Sequence, residues 1–477
     1  MTDATSEAWN IPNIQRHGNQ ATGVARPGVA PERRVHPPSS RIPIIQRRSE
    51  SALYRPVALV AICTFGPYLS SSIGIRTEQV ALFGLLALAI PALLWRTRYS
   101  APTIAALLCL VTVYAVGVMS WAMPIPIADT AFARAPVLAG LVNNFVPIAA
   151  ILLTAYWLST GLTRVSVFRV IARVFVWAMV ANSVVAFVSV KVNMTGILHH
   201  FWQATSSVDY SNSVAVRAAV QGRFSGIFDQ PTQAGIMYSL ALFFAIYLAD
   251  GWSGERLRRF AVIGPVLLVG GLLTVSKVFI LLGVPLSVLL LLRRSRPRGP
   301  KLYATIGVPT VGLTLYLTGQ LAGMQAIHKI GALIHPQGGE GVINLYSGGR
   351  LGSGGTLGSA FHLVATESPI SGFGLGGLVS VPLDSMWLAA AVTAGYIGIV
   401  LWVAVTLLLV VRYLQLRHAD PTRGLMFSIV ALIIGSSLGF PVLIGNRIST
   451  LLWIVLTVLL LSDQPWEGHS RMSTVRL

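Results

Sequence analysis

Long apolar runs separated by short polar segments dominate the chain. They lie at roughly 56–73, 79–95, 103–123, 138–160, 170–190, 231–250, 260–275, 278–292, 302–321, 385–411, 424–444 and 448–462. Most approach the ~20 residues that a helix needs to cross ~30 Å of hydrocarbon. Barrel strands would be shorter and would alternate polar with apolar positions, which these runs do not. The pattern predicts an all-α polytopic membrane protein of about twelve transmembrane helices. The longest hydrophilic excursion, residues 322–383, separates the ninth run from the tenth. No internal repeat and no second soluble domain are evident.

Composition supports a membrane setting. Hydrophobic residues make up 54% and charged residues 11% of the 477, with a mean hydropathy of +0.70. A soluble domain of this size would not show that balance. Residues 1–50 are rich in Pro, Ser, Arg and Asn, lack apolar periodicity and read as a disordered tail. They do not read as a signal peptide, because no apolar core follows a short basic start. Residues 51–463 then form the membrane domain, and 464–477 a second tail.

Basic residues fix the expected orientation. Those up to Arg55, with Arg96, Arg98, Arg164, Arg169, Arg173, Arg256, Arg258, Arg259, the cluster from Arg293 to Lys301, Arg412, Arg417, Arg423 and the C-terminal pair, account for 26 of 35. All fall on the side shared by the two termini. The positive-inside rule makes both termini cytoplasmic and turns the 322–383 loop outward. The net charge of +19 is therefore a topology signal, and nucleic acid is not an expected partner. The stretch 260–292 must be two short spans, because both of its flanks are basic. At ~1.5 Å per residue each reaches only about 24 Å, which sets the Thr274-Val275-Ser276-Lys277 turn below the outer surface, on a cavity floor. Two readings stand for Lys277: compensation by an anion, or snorkelling to the interface.

Outward ionisable residues are few. Arg223 lies in Gly222-Arg223-Phe224-Ser225-Gly226-Ile227-Phe228-Asp229-Gln230-Pro231, whose end looks like a helix start. It is a candidate anion ligand, with Arg217 nearby; pairing with Asp229 or lipid phosphate is the alternative. Arg350 sits among Gly348, Gly349, Gly352, Gly354 and Gly355, where turning backbone can offer N–H groups beside a bidentate guanidinium. The alternative is a flexible surface loop. No Walker A spacing and no dinucleotide fingerprint are present. Asp384 opens the tenth run as a candidate base or a helix N-cap. His362 reads as an interfacial histidine, and Cys63 and Cys109 as packing residues without metal-ligand spacing.

These blocks resemble the O-antigen polymerase and ligase superfamily over roughly residues 200–460. The Arg223 block looks like that family's arginine-containing outer loop, and Ser276-Lys277 is similar to its turn between two short spans. Arg350 followed by Glu367-Ser368-Pro369-Ile370-Ser371-Gly372-Phe373-Gly374 resembles its large periplasmic loop. Asp384-Ser385-Met386-Trp387-Leu388, with Gly395 after six more residues, matches the pattern His-Ser-x-x-Leu-x6-Gly except at its first position. Arg223 also precedes Gly235 by one residue more than the polymerase Arg-x10-Gly spacing.

The resemblance implies the architecture of lipid-dependent, GT-C-like glycosyltransferases in a bacterial inner membrane, with a periplasmic active site. It also implies transfer of a glycan from an undecaprenyl diphosphate carrier to a sugar hydroxyl, without cofactor, metal or nucleotide sugar. Asp384 in place of histidine leans towards an exopolysaccharide or O-antigen polymerase. Arg223, Arg350, Lys277 and Arg217 would hold the leaving diphosphate, and Asp384 would act on the acceptor hydroxyl with inversion. Lipid-linked donor and acceptor glycans, the bilayer, and chain-length and export proteins are the implied partners. The rivals are a ligase that transfers finished glycan to another acceptor and, in a different class, a polysaccharide or lipid transporter.

Overall fold

A computed structural model describes residues 54–70, 74–123, 137–202, 214–249, 254–294, 356–375, 385–416, 422–444, 447–464 and 466. The N-terminal tail, the expected span at 302–321, Arg350 and Asp384 lie outside these.

The described residues are mostly helical. In chain order the helices are α1 (Arg55–Cys63), α2 (Thr77–Arg96), α3 (Ala101–Ala122), α4 (Val137–Ser159), α5 (Arg164–Ser189), α6 (Thr195–Leu198) and α7 (Val214–Val220). They continue with α8 (Pro231–Leu248), α9 (Gly254–Leu273), α10 (Val284–Arg294), α11 (Thr356–Glu367), α12 (Met386–Gln415), α13 (Arg423–Ser437) and α14 (Arg447–Leu456). A π turn, Phe279–Gly283, precedes α10, and another, Thr457–Leu461, extends α14. Six helices, α2, α3, α4, α5, α8 and α12, contain stretches long and apolar enough to cross a membrane, and four shorter apolar helices accompany them.

Two expected spans are shortened. The run at 56–73 gives only the nine residues of α1, about 13 Å and under half a bilayer's hydrocarbon. Gly66-Pro67 ends the helix, and the chain folds back as an antiparallel pair, β1 (Tyr68–Ser70) with β2 (Ile75–Arg76). The Thr77 hydroxyl closes this reversal by donating to the Cys63 carbonyl at 2.8 Å. The run at 424–444 is helical only through Ser437, after which it turns ahead of Pro441.

At the centre lies α8, apolar on every side and buried along nearly its whole length against α5, α9, α10 and α13. Glycines let its neighbours approach: a Cβ on Gly235 would sit 2.2 Å from Ser276 Oγ. Outer helices instead expose apolar residues, with Leu88 81% and Trp95 86% accessible, a surface suited to hydrocarbon contact.

The helix ends sort into two sets. At one, Arg164 donates to the carbonyls of Val458, Leu459 and Gln464, Arg412 pairs with Asp463 at 2.9 Å, and Ser100 and Thr103 reach the Leu461 carbonyl. Trp466 is held there too, beneath the Arg164 guanidinium, so the packed body runs past the expected boundary at 463. The far end of α14 carries Arg447, which meets Tyr68 and the Phe201 carbonyl. The Arg164–Arg412 group and Arg447 thus lie at opposite ends of one helical run.

Candidate functional site

Arg223 is placed by a Schellman motif. Helix α7 ends as Gly222 enters the left-handed region, at φ +79°, and the Arg223 and Gly222 amides donate to the Ala218 and Ala219 carbonyls. The next amide, Phe224 N–H, donates to the Leu273 carbonyl at 2.8 Å, fastening the loop to the end of α9. Asn182 then bridges the Ser225 carbonyl, the Ile227 amide and the Tyr238 hydroxyl. The chain enters α8 through Gln230 and Pro231, as the sequence implies.

The guanidinium reaches the turn between α9 and the Phe279 π turn. Its Nε donates to the Thr274 carbonyl and Nη2 to the Val275 carbonyl, both at 3.4 Å. Among the described non-glycine residues only Val275 has a positive φ, +47°, which is costly for a β-branched side chain. Thr274, Val275 and Ser276 are buried, whereas Lys277 is partly exposed. The Ser276 hydroxyl is buried without a hydrogen-bond partner among the described residues. Arg217 is exposed on α7, outside the cleft that Arg223 lines with Asn193, Trp202 and Ser225. The structure therefore brings Arg223 and the Lys277 turn together and leaves Arg217 apart.

A second charged group was not anticipated from the sequence. Arg76 and Glu78, 2% and 0% exposed, form a 2.6 Å ion pair at the start of α2. Asn143 Oδ1 accepts from both Arg76 Nη2 and Gln79 Nε2. Arg447, 1% exposed, stacks over the Tyr68 ring at 4.9 Å, and its Nη1 has no hydrogen-bond partner among the described residues. Burial pushes the Tyr68 hydroxyl up to about 12; Asp229 adds to the rise, and Arg76 and Arg447 oppose it. The available signal was an arginine and a glutamate two residues apart at the head of an apolar run.

The block Pro369–Phe373 closes a break in α12. Ala394 and Gly395 leave helical geometry there, and Gly395 adopts φ +58°, ψ −148°. The Val392 carbonyl accepts from Phe373 N–H, and the Pro369 carbonyl from Tyr396 N–H, both at 2.7 Å. A Cβ on Gly395 would lie 2.5 Å from the Ile370 carbonyl. Ser120 and Asn144 anchor the same segment through the Ser371 and Leu375 carbonyls. The N-cap position of α12 is Ser385, and Asp384 lies outside the described residues. His362 is exposed on α11. Among the described residues no cluster of His, Cys, Asp or Glu could hold a metal, and both cysteines are free.

No model of a known protein family matches the chain, and no curated protein matches it.

Proposed function

We propose that the chain polymerises undecaprenyl-diphosphate-linked oligosaccharide repeat units into exopolysaccharide or O-antigen at the periplasmic face of a bacterial inner membrane. The observation that carries this reading is the turn of buried Thr274, Val275 and Ser276 beside Lys277, with the Arg223 guanidinium braced against it. A lysine held at the end of two short helices suits an anionic group on a membrane-anchored lipid. Both termini are cytoplasmic in this reading, and Arg350 and Asp384 belong to its outer loop.

The acceptor hydroxyl attacks the anomeric carbon of the donor, and the bond to the diphosphate oxygen breaks with inversion. The electron pair leaves with the diphosphate, where fixed cations stabilise the growing charge. Asp384 orients the hydroxyl and receives its proton. Arginines nearby lower a carboxyl's pKa, so orientation contributes more than basicity.

A transporter would gain support from the broken helix α12. At that break, however, the Val392 carbonyl and the Tyr396 amide are bonded to the Pro369–Phe373 segment, which favours a structural lock over a substrate site. The reading is tested with purified protein and lipid-linked repeat units, following elongation by gel without added metal or nucleotide. Elongation is expected for the parent and loss of about 100-fold or more for Lys277→Ala and Arg350→Ala. Absence of elongation by a folded parent, or normal elongation by both variants, would overturn it. Long unattached glycan in a deletion strain would instead identify a ligase.

A further inference from the structure

The Thr274–Lys277 turn is held in a costly form. A β-branched residue at φ +47° clashes with its own following peptide, and such conformations persist only where surrounding contacts impose them. Three contacts do so. Phe224 N–H fixes the end of α9 through the Leu273 carbonyl, Gly235 leaves space for Ser276, and Arg223 bonds the two carbonyls on either side of the Val275 amide nitrogen–Cα unit. The Ser276 hydroxyl gains nothing in return, since it is buried without a partner among the described residues. Within the turn the Val275 amide donates to the Leu272 carbonyl and the Ser276 amide to the Thr274 hydroxyl, and from outside it Arg223 holds the carbonyls of the same two strained peptide units. Its reach depends on the Schellman end of α7, which sets the arginine immediately after Gly222.

We propose that Arg223 is a positioning residue: its guanidinium holds the Thr274 and Val275 carbonyls so that the strained turn presents Lys277 to the anionic leaving group. Lys277 is then the direct ligand, and Arg223 acts through it. This rests on the glycosyl-transfer reading for its activity readout, but the coupling between Arg223 and Val275 can be measured without it.

The test is a double-mutant cycle of Arg223→Ala with Val275→Gly, read by elongation and by thermal unfolding midpoint in detergent. Glycine adopts positive φ without strain, so the turn no longer needs the guanidinium. Arg223→Ala alone is expected to lower kcat by about 100-fold, and by less than about 10-fold when position 275 is glycine. Lys277→Ala should remove elongation in both backgrounds. The midpoint drop caused by Arg223→Ala should likewise shrink in the glycine background. Val275→Asn, which also tolerates positive φ, replaces the glycine variant if that protein does not fold. An Arg223→Ala loss of equal size in both backgrounds would overturn the proposal and make Arg223 a direct substrate ligand. If the folded parent does not elongate glycan, the midpoints still decide: strictly additive shifts reject the brace, and non-additive shifts support it.

Discussion

Tyr68 shows how much one side chain's setting matters here. Its hydroxyl is held near 12 by burial, and the folded value lies above the ordinary 10. A raised acid pKa means that the folded state favours the neutral form. The associated stability is fully present below about pH 10 and is lost as pH rises through about 12. Tyr68→Phe should therefore flatten the alkaline limb of a stability-versus-pH curve above pH 10 while leaving pH 6–9 unchanged; an identical alkaline limb in both proteins would remove Tyr68 as its source. Asp384 is legible in another way. Because Ser385 takes the N-cap position of α12, Asp384→Asn should cost little stability yet abolish elongation. Full elongation by the folded asparagine variant would strike Asp384 from the reaction. Lys277 could be singled out because it is a lone cation between two apolar runs, and Arg223 because it stands in a glycine-bounded block just before a helix start. Arg447 could not, because only the fold reveals that it turns inward onto Tyr68.

Helix α12 reads in the sequence as one long apolar run, yet its geometry changes at Ala394 and Gly395. Hydrophobicity is blind to that break, because the Val392 carbonyl and the Tyr396 amide beside it are bonded to backbone of the distant Pro369–Phe373 segment. The same limit explains α1. Apolar residues continue past Cys63, but Gly66-Pro67 and a hairpin consume them, and composition alone cannot distinguish a span from a re-entrant segment. The pair of short helices around 274–277 was legible, because charge on both flanks forced an even number of crossings. Gly395→Ala tests the break: its φ and ψ are accessible essentially to glycine alone, and the new methyl meets the Ile370 carbonyl. A loss on the order of 3 kcal/mol is expected, seen as a lower unfolding midpoint and faster proteolysis at 369–373. An unchanged midpoint would mean that the loop is not locked into the helix.

Across the whole body, charge is arranged by end. Arg164 and Arg412 cap the carbonyls that finish the last helical run, while Arg76, Glu78 and Arg447 are buried at the other end. The first pair opposes a helix macrodipole where a basic cytoplasmic rim is expected. The second group is an internal brace between α2, α4 and the hairpin, and it is stable only while complete. Removing one member of a buried ion pair leaves the other uncompensated, so Arg76→Ala should cost about 3–5 kcal/mol and Glu78→Gln a similar amount. The double change Arg76→Met with Glu78→Leu should cost much less than the sum. Sidedness itself is tested separately, in a variant whose Cys63 and Cys109 are replaced by alanine. A cysteine at position 199, beside the Arg447 end, should react with a membrane-impermeant thiol reagent on intact spheroplasts. A cysteine at position 463, beside Arg412, should react only after the membrane is opened. Since α14 and its π turn join these two ends within one helical run, both labels must reverse together if the orientation is wrong. Reversal would place the Arg223 turn in the cytoplasm and rule out a periplasmic polymerase while leaving the fold untouched.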